Sequence, residues 1–477
     1  MNSFYPNLEA GTPSGNEGKI QPGQFANGLP ETKGARDLLW GVLFVLHLLL
    51  IGGLAVFGIS KLNSDMAVES SNENPLAQTA IGSKQLASLG FTVLITSVSG
   101  FVLAMLWLWL MRTYPKQLII TTMVLQGALW ILLAVYMFFV GAIVGGILGV
   151  IGAALTFCMW WFGRHRIPFA AAVLHTVALV TKKYPGTIIM SVISVFVQMG
   201  WSSLWSFTAL SSAFYVTGSV QGYLLYVFFL FSFYWTSQVV KNVSHFTISG
   251  TFATWYFQIN NIPTNPTLKA AKRALTSSFG SICLGSLIVA LIQTVRAILR
   301  SLVRGRGDNI ALVILACLID CLLGCIESLV RYFNKYAYTY AAIYGTSFCE
   351  SAKATWQLVG SHGAQAILND SFIGPTLTIG ALLGALLNFG VGALVGIAIS
   401  GVPAEGAMAD YSWLLFGLIG ALIGFVTMSC AMSVVDSGVA TIFVGYAMEP
   451  NQLEYHDKEL RARFADAERA AMGVEHH

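Results

Sequence analysis

Along this chain apolar residues come in long unbroken blocks, not in the two-residue alternation of half-buried strands or the one-sided stripe of surface helices. Leu118 to Phe162 runs 45 residues without Asp, Glu, Lys or Arg, and Tyr184 to Val240 runs 57. One membrane span needs about 20 apolar residues, so each block is long enough for two helices joined by a tight turn. The pattern predicts spans at Leu39 to Ile59, Leu89 to Met111, Leu118 to Phe139, Ile143 to Phe162, Thr187 to Phe207 and Val220 to Val240. Four more are expected at Leu275 to Leu299, Ile310 to Phe333, Phe372 to Ile399 and Ser412 to Val435. The fold class is therefore an all-α polytopic membrane protein of about ten transmembrane helices.

Composition agrees. Of 477 residues 56% are hydrophobic and 10% charged, against roughly a quarter charged in a soluble domain. The net charge of +4 sits in short clusters between apolar segments, the distribution of cytoplasmic loops and not of a nucleic-acid surface. None of the seven cysteines falls in the polar loop from Leu62 to Ser88, so no disulfide-stapled outer domain is indicated. Residues 1–38, rich in Gly, Pro, Asn and Gln, read as a disordered cytoplasmic tail. Residues 39–448 read as the membrane domain and 449–477 as a cytoplasmic C-terminal tail.

The basic loops give the orientation, because cytoplasmic loops carry the excess of Lys and Arg. Arg112 and Lys116, then Arg164, Arg166, Lys182 and Lys183, then Lys241, Lys269, Lys272 and Arg273 fall on one side, which places both termini in the cytoplasm. Arg300, Arg304 and Arg306 break the rule if 310–333 crosses the membrane. Asp320, Glu327 and Arg331 share one face of that segment, so it reads either as a span or as an amphipathic interfacial helix. Glycines four apart, at 141, 145 and 149, 380 and 384, 392 and 396, and 420 and 424, predict close helix packing.

Ionisable groups at membrane depth are costly and mark either internal pairs or a polar path. Glu327 has Arg331 at i+4 and Glu350 has Lys353 at i+3 as pairing partners. Asp436 closes an uncharged helix with no cation near it in sequence, and reads as a helix-end group or as part of a gate or cation site. Tyr234, Gln238, Asn242 and His245 form a polar stripe with Trp235 beside it; a substrate-lining face and interhelical hydrogen bonding both explain it. Trp255, Tyr256, Tyr340 and Tyr344 lie in segments broken by Gly, Ser and Thr, where aromatic faces would suit an ammonium. No Walker phosphate loop, H-E-x-x-H or G-x-S-x-G occurs, so no enzyme activity, metal or cofactor is expected.

Four long segments in order, SFYWTSQVVKNVSHFTISGTFATWYF (232–257), SSFGSICLGSLIVALIQ (277–293), NKYAYTYAAIYGTSFCESAK (334–353) and MSVVDSG (432–438), resemble the choline transporter-like family, in its fungal pH-nine-sensitive and plant-like branch. The resemblance implies ten helices, cytoplasmic termini, a plasma-membrane or organelle setting, and movement of choline and ethanolamine by facilitated diffusion or cation exchange. The short first outer loop, without Cys or a sequon, differs from animal members. The site residues expected are Tyr234, Trp235, Gln238, Asn242, Trp255 and Tyr344, with Glu350 or Asp436 as countercharge. The partners expected are a small cation and the bilayer. The alternative is a membrane scaffold or regulatory protein that transports nothing.

Overall fold

In the computed structural model the described residues are 29, 34–69, 83–213, 220–258, 262–304, 310–400, 412–456 and 458–471. They form fourteen α-helices and no strand: α1 (Leu38–Glu69), α2 (Ser83–Thr113), α3 (Pro115–Phe139), α4 (Ile143–Gly163), α5 (Ile167–Lys183), α6 (Gly186–Ala213) and α7 (Val220–Phe257), then α8 (Pro266–Leu275), α9 (Phe279–Arg304), α10 (Ile310–Tyr344), α11 (Phe348–Ser400), α12 (Ser412–Met448), α13 (Gln452–His456) and α14 (Lys458–Ala471). Nine stretches among the described residues are long and apolar enough to cross a membrane. Their outward faces keep Phe139, Val144, Phe162 and Tyr223 exposed, an apolar surface that only lipid accommodates.

α10 is a tenth long helix, and it carries Asp320, Glu327, Arg331 and Lys335. It packs against α7, α9, α11 and α12, so it belongs to the bundle. Its acidic groups are paired within the protein: Arg296 of α9 meets both Asp320 (3.1 Å) and Glu327, Arg300 meets Asp320 at 2.8 Å, and Arg331 meets Glu327 one turn away. The Glu327–Arg331 pairing expected from spacing is present, with a second cation from α9.

Several helices are much longer than hydropathy predicts. α7 has 38 residues, α11 has 53 and α12 has 37; at 1.5 Å per residue α7 is about 57 Å long, nearly twice the ~30 Å hydrocarbon core. The expected span ending at Val240 continues to Phe257, that beginning at Phe372 starts at Phe348, and that ending at Val435 continues to Met448. The extensions of α7 and α12 bury into protein, so they need not be uniformly apolar. Along α7, Thr247, Thr251 and Thr254 donate to the carbonyls of Val243, Thr247 and Gly250, while Phe252 and Tyr256 are fully buried.

These extensions meet a second layer built from α5, α8, α13 and α14. Ala170, Leu174 and Val177 of α5 are wholly buried, and Phe464 of α14 packs its ring on Phe169 and Tyr446 at 5.5 and 5.1 Å. α14 is thus docked on α5, and α13 on α7. Most of the expected N-terminal tail lies outside the described residues. Its last residues are fixed at this same end: Arg36 N–H donates to Ser277 O (2.8 Å), and the Asp37 carboxylate accepts from Ser281 Oγ (2.6 Å) and Phe348 N–H (2.9 Å). The last of these places a carboxylate at the N-terminus of α11, where the helix dipole favours it.

The glycine rows pack helices closely as expected, except that Gly141 lies in the turn between α3 and α4 with open space around it. Gly392 and Gly420 bring the backbones of α11 and α12 together, their Cα atoms so close that a methyl on either would strike the facing helix; a Cβ on Gly149 of α4 would lie 2.9 Å from the backbone of Ala134 in α3.

Candidate functional site

Inside the bundle, α6, α7, α10 and α12 leave a cavity of about 400 Å³ between them, with Val289 of α9 on one side. Polar residues at helical spacing on largely apolar helices stand in its walls, among apolar neighbours. α6 contributes Ser191, Ser194 and Gln198, three and four residues apart; α12 contributes Ser429, Ser433, Asp436 and Ser437 at the same spacing; α7 contributes Gln238, Lys241, Asn242 and His245. The helical period turns each set to one face. α10 adds Arg331, Tyr332, Asn334 and Lys335.

The centre of the site is an ion pair. Lys335 Nζ lies 2.7 Å from Asp436 Oδ1, with the Asp436 side chain 46% exposed and that of Lys335 16%. That exposure is to the cavity, since Asp436 lies inside α12 with Val434 and Val435 fully buried beside it. The carboxylate therefore presents an open oxygen to the void while one cation holds it. His245 fixes the register of the pair: its Nε2 donates to Lys335 O (2.9 Å) and its Nδ1 meets Ser437 Oγ (2.8 Å), tying α7 to both α10 and α12 on either side of the salt bridge. Opposite, Gln198 Nε2 donates to Ser237 Oγ (2.9 Å), and Ser191 Oγ meets Ser433 Oγ (2.7 Å).

A hydrogen-bonded chain leads out of the cavity toward the α9–α10 charges. Gln238 Nε2 donates to Gln293 Oε1 (3.1 Å), and Gln293 Nε2 donates to Glu327 Oε1 (3.0 Å). Asn242 Nδ2 donates to Ser286 Oγ (2.9 Å), and Asn334 Nδ2 to Gly285 O (2.8 Å). Gln238, Asn242 and His245 of the α7 stripe thus bond neighbouring helices and also line the void.

Of the eight residues singled out from sequence, the cavity brings together Gln238, Asn242 and Asp436. The other five stand apart. Trp235 is 4% exposed, packs against Phe44 and His47 at 5.2 and 5.1 Å, and donates its indole N–H to Cys283 O. Tyr234 is half-buried against the same cluster. Trp255 stacks on His456 at 4.5 Å, joining α7 to α13; the His456 Nε2 donates to Tyr256 O at 3.0 Å. Burial there holds the imidazole below its ordinary value, against a smaller upward pull from that bond. Tyr344 pairs with the ring of Tyr340 at 4.4 Å. Glu350 is exposed at the start of α11, where its carboxylate accepts from Ser347 N–H (3.1 Å) and its own N–H donates to Ser347 Oγ (3.4 Å); this is a capping box, which ends the need for Lys353 as partner.

The α6 stripe and the Lys335–Asp436 pair were not picked out from sequence. The first carries the same signal as the α7 stripe, polar residues at helical spacing in an apolar block. The second joins residues 101 apart in the chain, and no local pattern announces it.

A many-helix membrane bundle with a charge-bearing cavity between its helices has the form of a solute carrier. Residues 146–451 match the family model described as plasma-membrane choline transporter, and the chain belongs to the choline transporter-like family. It is 33% identical over 380 residues to a CTL-like protein of Dictyostelium discoideum, covering 78% of this chain and 65% of that one. It is 32% identical over 451 residues to protein PNS1 of Gibberella zeae (89% and 80% covered) and 31% over 452 residues to PNS1 of Debaryomyces hansenii (88% and 85%). The chain thus spans just under two thirds of the Dictyostelium relative.

Proposed function

We propose that this protein carries a small organic cation of the choline and ethanolamine type across the plasma membrane, through the cavity between α6, α7, α10 and α12, with both termini in the cytoplasm. The observation that carries the reading is Asp436, a carboxylate opening into a partly open cavity between helices and held there by a lysine that a substrate ammonium can replace. Exchange of one cation for another keeps the carboxylate paired throughout, so the costly state, a bare charge away from bulk water, is never populated. The ring of Tyr332 supplies one aromatic face to the same void, and the serine and amide walls suit the hydroxyl of such a solute. Transport by facilitated diffusion or cation exchange needs nothing further from the chain. Family membership supports the direction of the argument, and the substrate class rests on the cavity.

The test is uptake of radiolabelled choline and ethanolamine into proteoliposomes holding the purified protein, beside an Asp436→Asn variant. Saturable wild-type uptake with KM raised at least tenfold in the variant is expected. A variant that keeps the wild-type KM removes Asp436 from the site.

A further inference from the structure

The charges around the cavity do not cancel. Arg331 is held by Glu327, a carboxylate that Arg296 also occupies, and Lys335 is held by Asp436. Lys241 lines the same void and is exposed, with no hydrogen bond or ion pair to its ammonium among the described residues. The charged groups near it are Arg331, Lys335 and Asp436, two of them of its own sign and the third already engaged. An ammonium that lines a cavity between helices and faces like charges calls for a counterion.

We propose that the cavity seats a small anion on Lys241, with Arg331 beside it and the hydroxyls of Ser194 and Ser237 within the same lining. The proposal rests on the cavity being the carrier's site and adds a second ligand to it. When a substrate ammonium takes Asp436 from Lys335, a second lysine loses its carboxylate in the same void, so the need for an anion rises as the cation binds. Cation and anion therefore bind with positive coupling, and by linkage each raises the affinity of the other by the same factor. The chemistry recognised is that of a halide or a phosphate group: a compact anion fits a lysine and an arginine already aimed at one space.

The experiment is equilibrium binding of radiolabelled chloride and, separately, inorganic phosphate to the purified full-length chain in lipid nanodiscs, with and without choline. Lys241→Gln is the test variant and Lys241→Arg the control for folding. Saturable binding of one of the two anions, weakened at least tenfold in Lys241→Gln, within threefold of wild type in Lys241→Arg and tightened several-fold by choline, is expected. Chloride alone marks a seat for a free halide, and phosphate alone a seat built for the phosphate of an organic solute. Absence of saturable binding of either anion, or equal binding by Lys241→Gln, overturns the proposal. Choline uptake without anion binding would leave the carrier standing and remove the anion; anion binding without choline uptake would do the reverse.

Discussion

At the scale of single residues, the account separates groups that face the cavity from groups that hold the bundle. Trp235 is the sharpest case, since it sits beside the stripe that holds Gln238 yet turns into the α1–α9 core. Trp235→Ala removes a large buried side chain and its hydrogen bond to Cys283 O, a loss of about 3–5 kcal/mol. The expected result is a much lower melting temperature and yield, with the KM for choline of the surviving folded protein unchanged; a raised KM with normal stability would place Trp235 at the substrate. Ser347→Ala removes the α11 cap at a cost of about 1 kcal/mol, and uptake per folded molecule is expected to stay at the wild-type level. Sequence reasoning found the α7 stripe because helical spacing is local. It took Trp235, Tyr344 and Glu350 for substrate contacts because side-chain chemistry alone does not tell which face of a helix meets a void.

At the scale of elements, helix packing and docking give their own tests. Gly420 lets α12 approach α11 backbone to backbone; Gly420→Val forces the pair apart and is expected to abolish the monodisperse folded form, whereas the exposed Gly53, with open space around it, tolerates Ala. α13 docks through the His456–Trp255 stack, and burial depresses the histidine's pKa below the unfolded value of 6.5. The folded state then binds fewer protons than the unfolded one, so this contact's contribution is intact above pH 6.5 and declines as pH falls below it. Wild-type melting temperature is expected to drop more steeply between pH 7 and pH 5 than that of His456→Gln, as read by tryptophan fluorescence; parallel curves would mean that the stack does not titrate.

At the scale of the whole molecule, hydropathy located nearly every crossing helix, since lipid demands uniformly apolar segments and reads them without regard to partners. It did not show the second layer of α5, α8, α13 and α14, or how far α7 and α12 run beyond their apolar segments, because those residues are buried by protein and carry no lipid signature. The cavity lies at the seam of α6, α7, α10 and α12. Its essential pair, Lys335 with Asp436, is created by the packing of α10 on α12 and exists only in the assembled fold.

The account's central claim is that this seam is where the substrate sits. Its most direct test is an experimental structure of the protein in lipid with choline, or with a heavier quaternary ammonium, bound. Ligand density between Asp436 and Tyr332, with Lys335 swung away from the carboxylate, is the result expected. Ammonium density elsewhere, such as among Phe44, His47 and Trp235, with the Lys335–Asp436 pair intact, would contradict it.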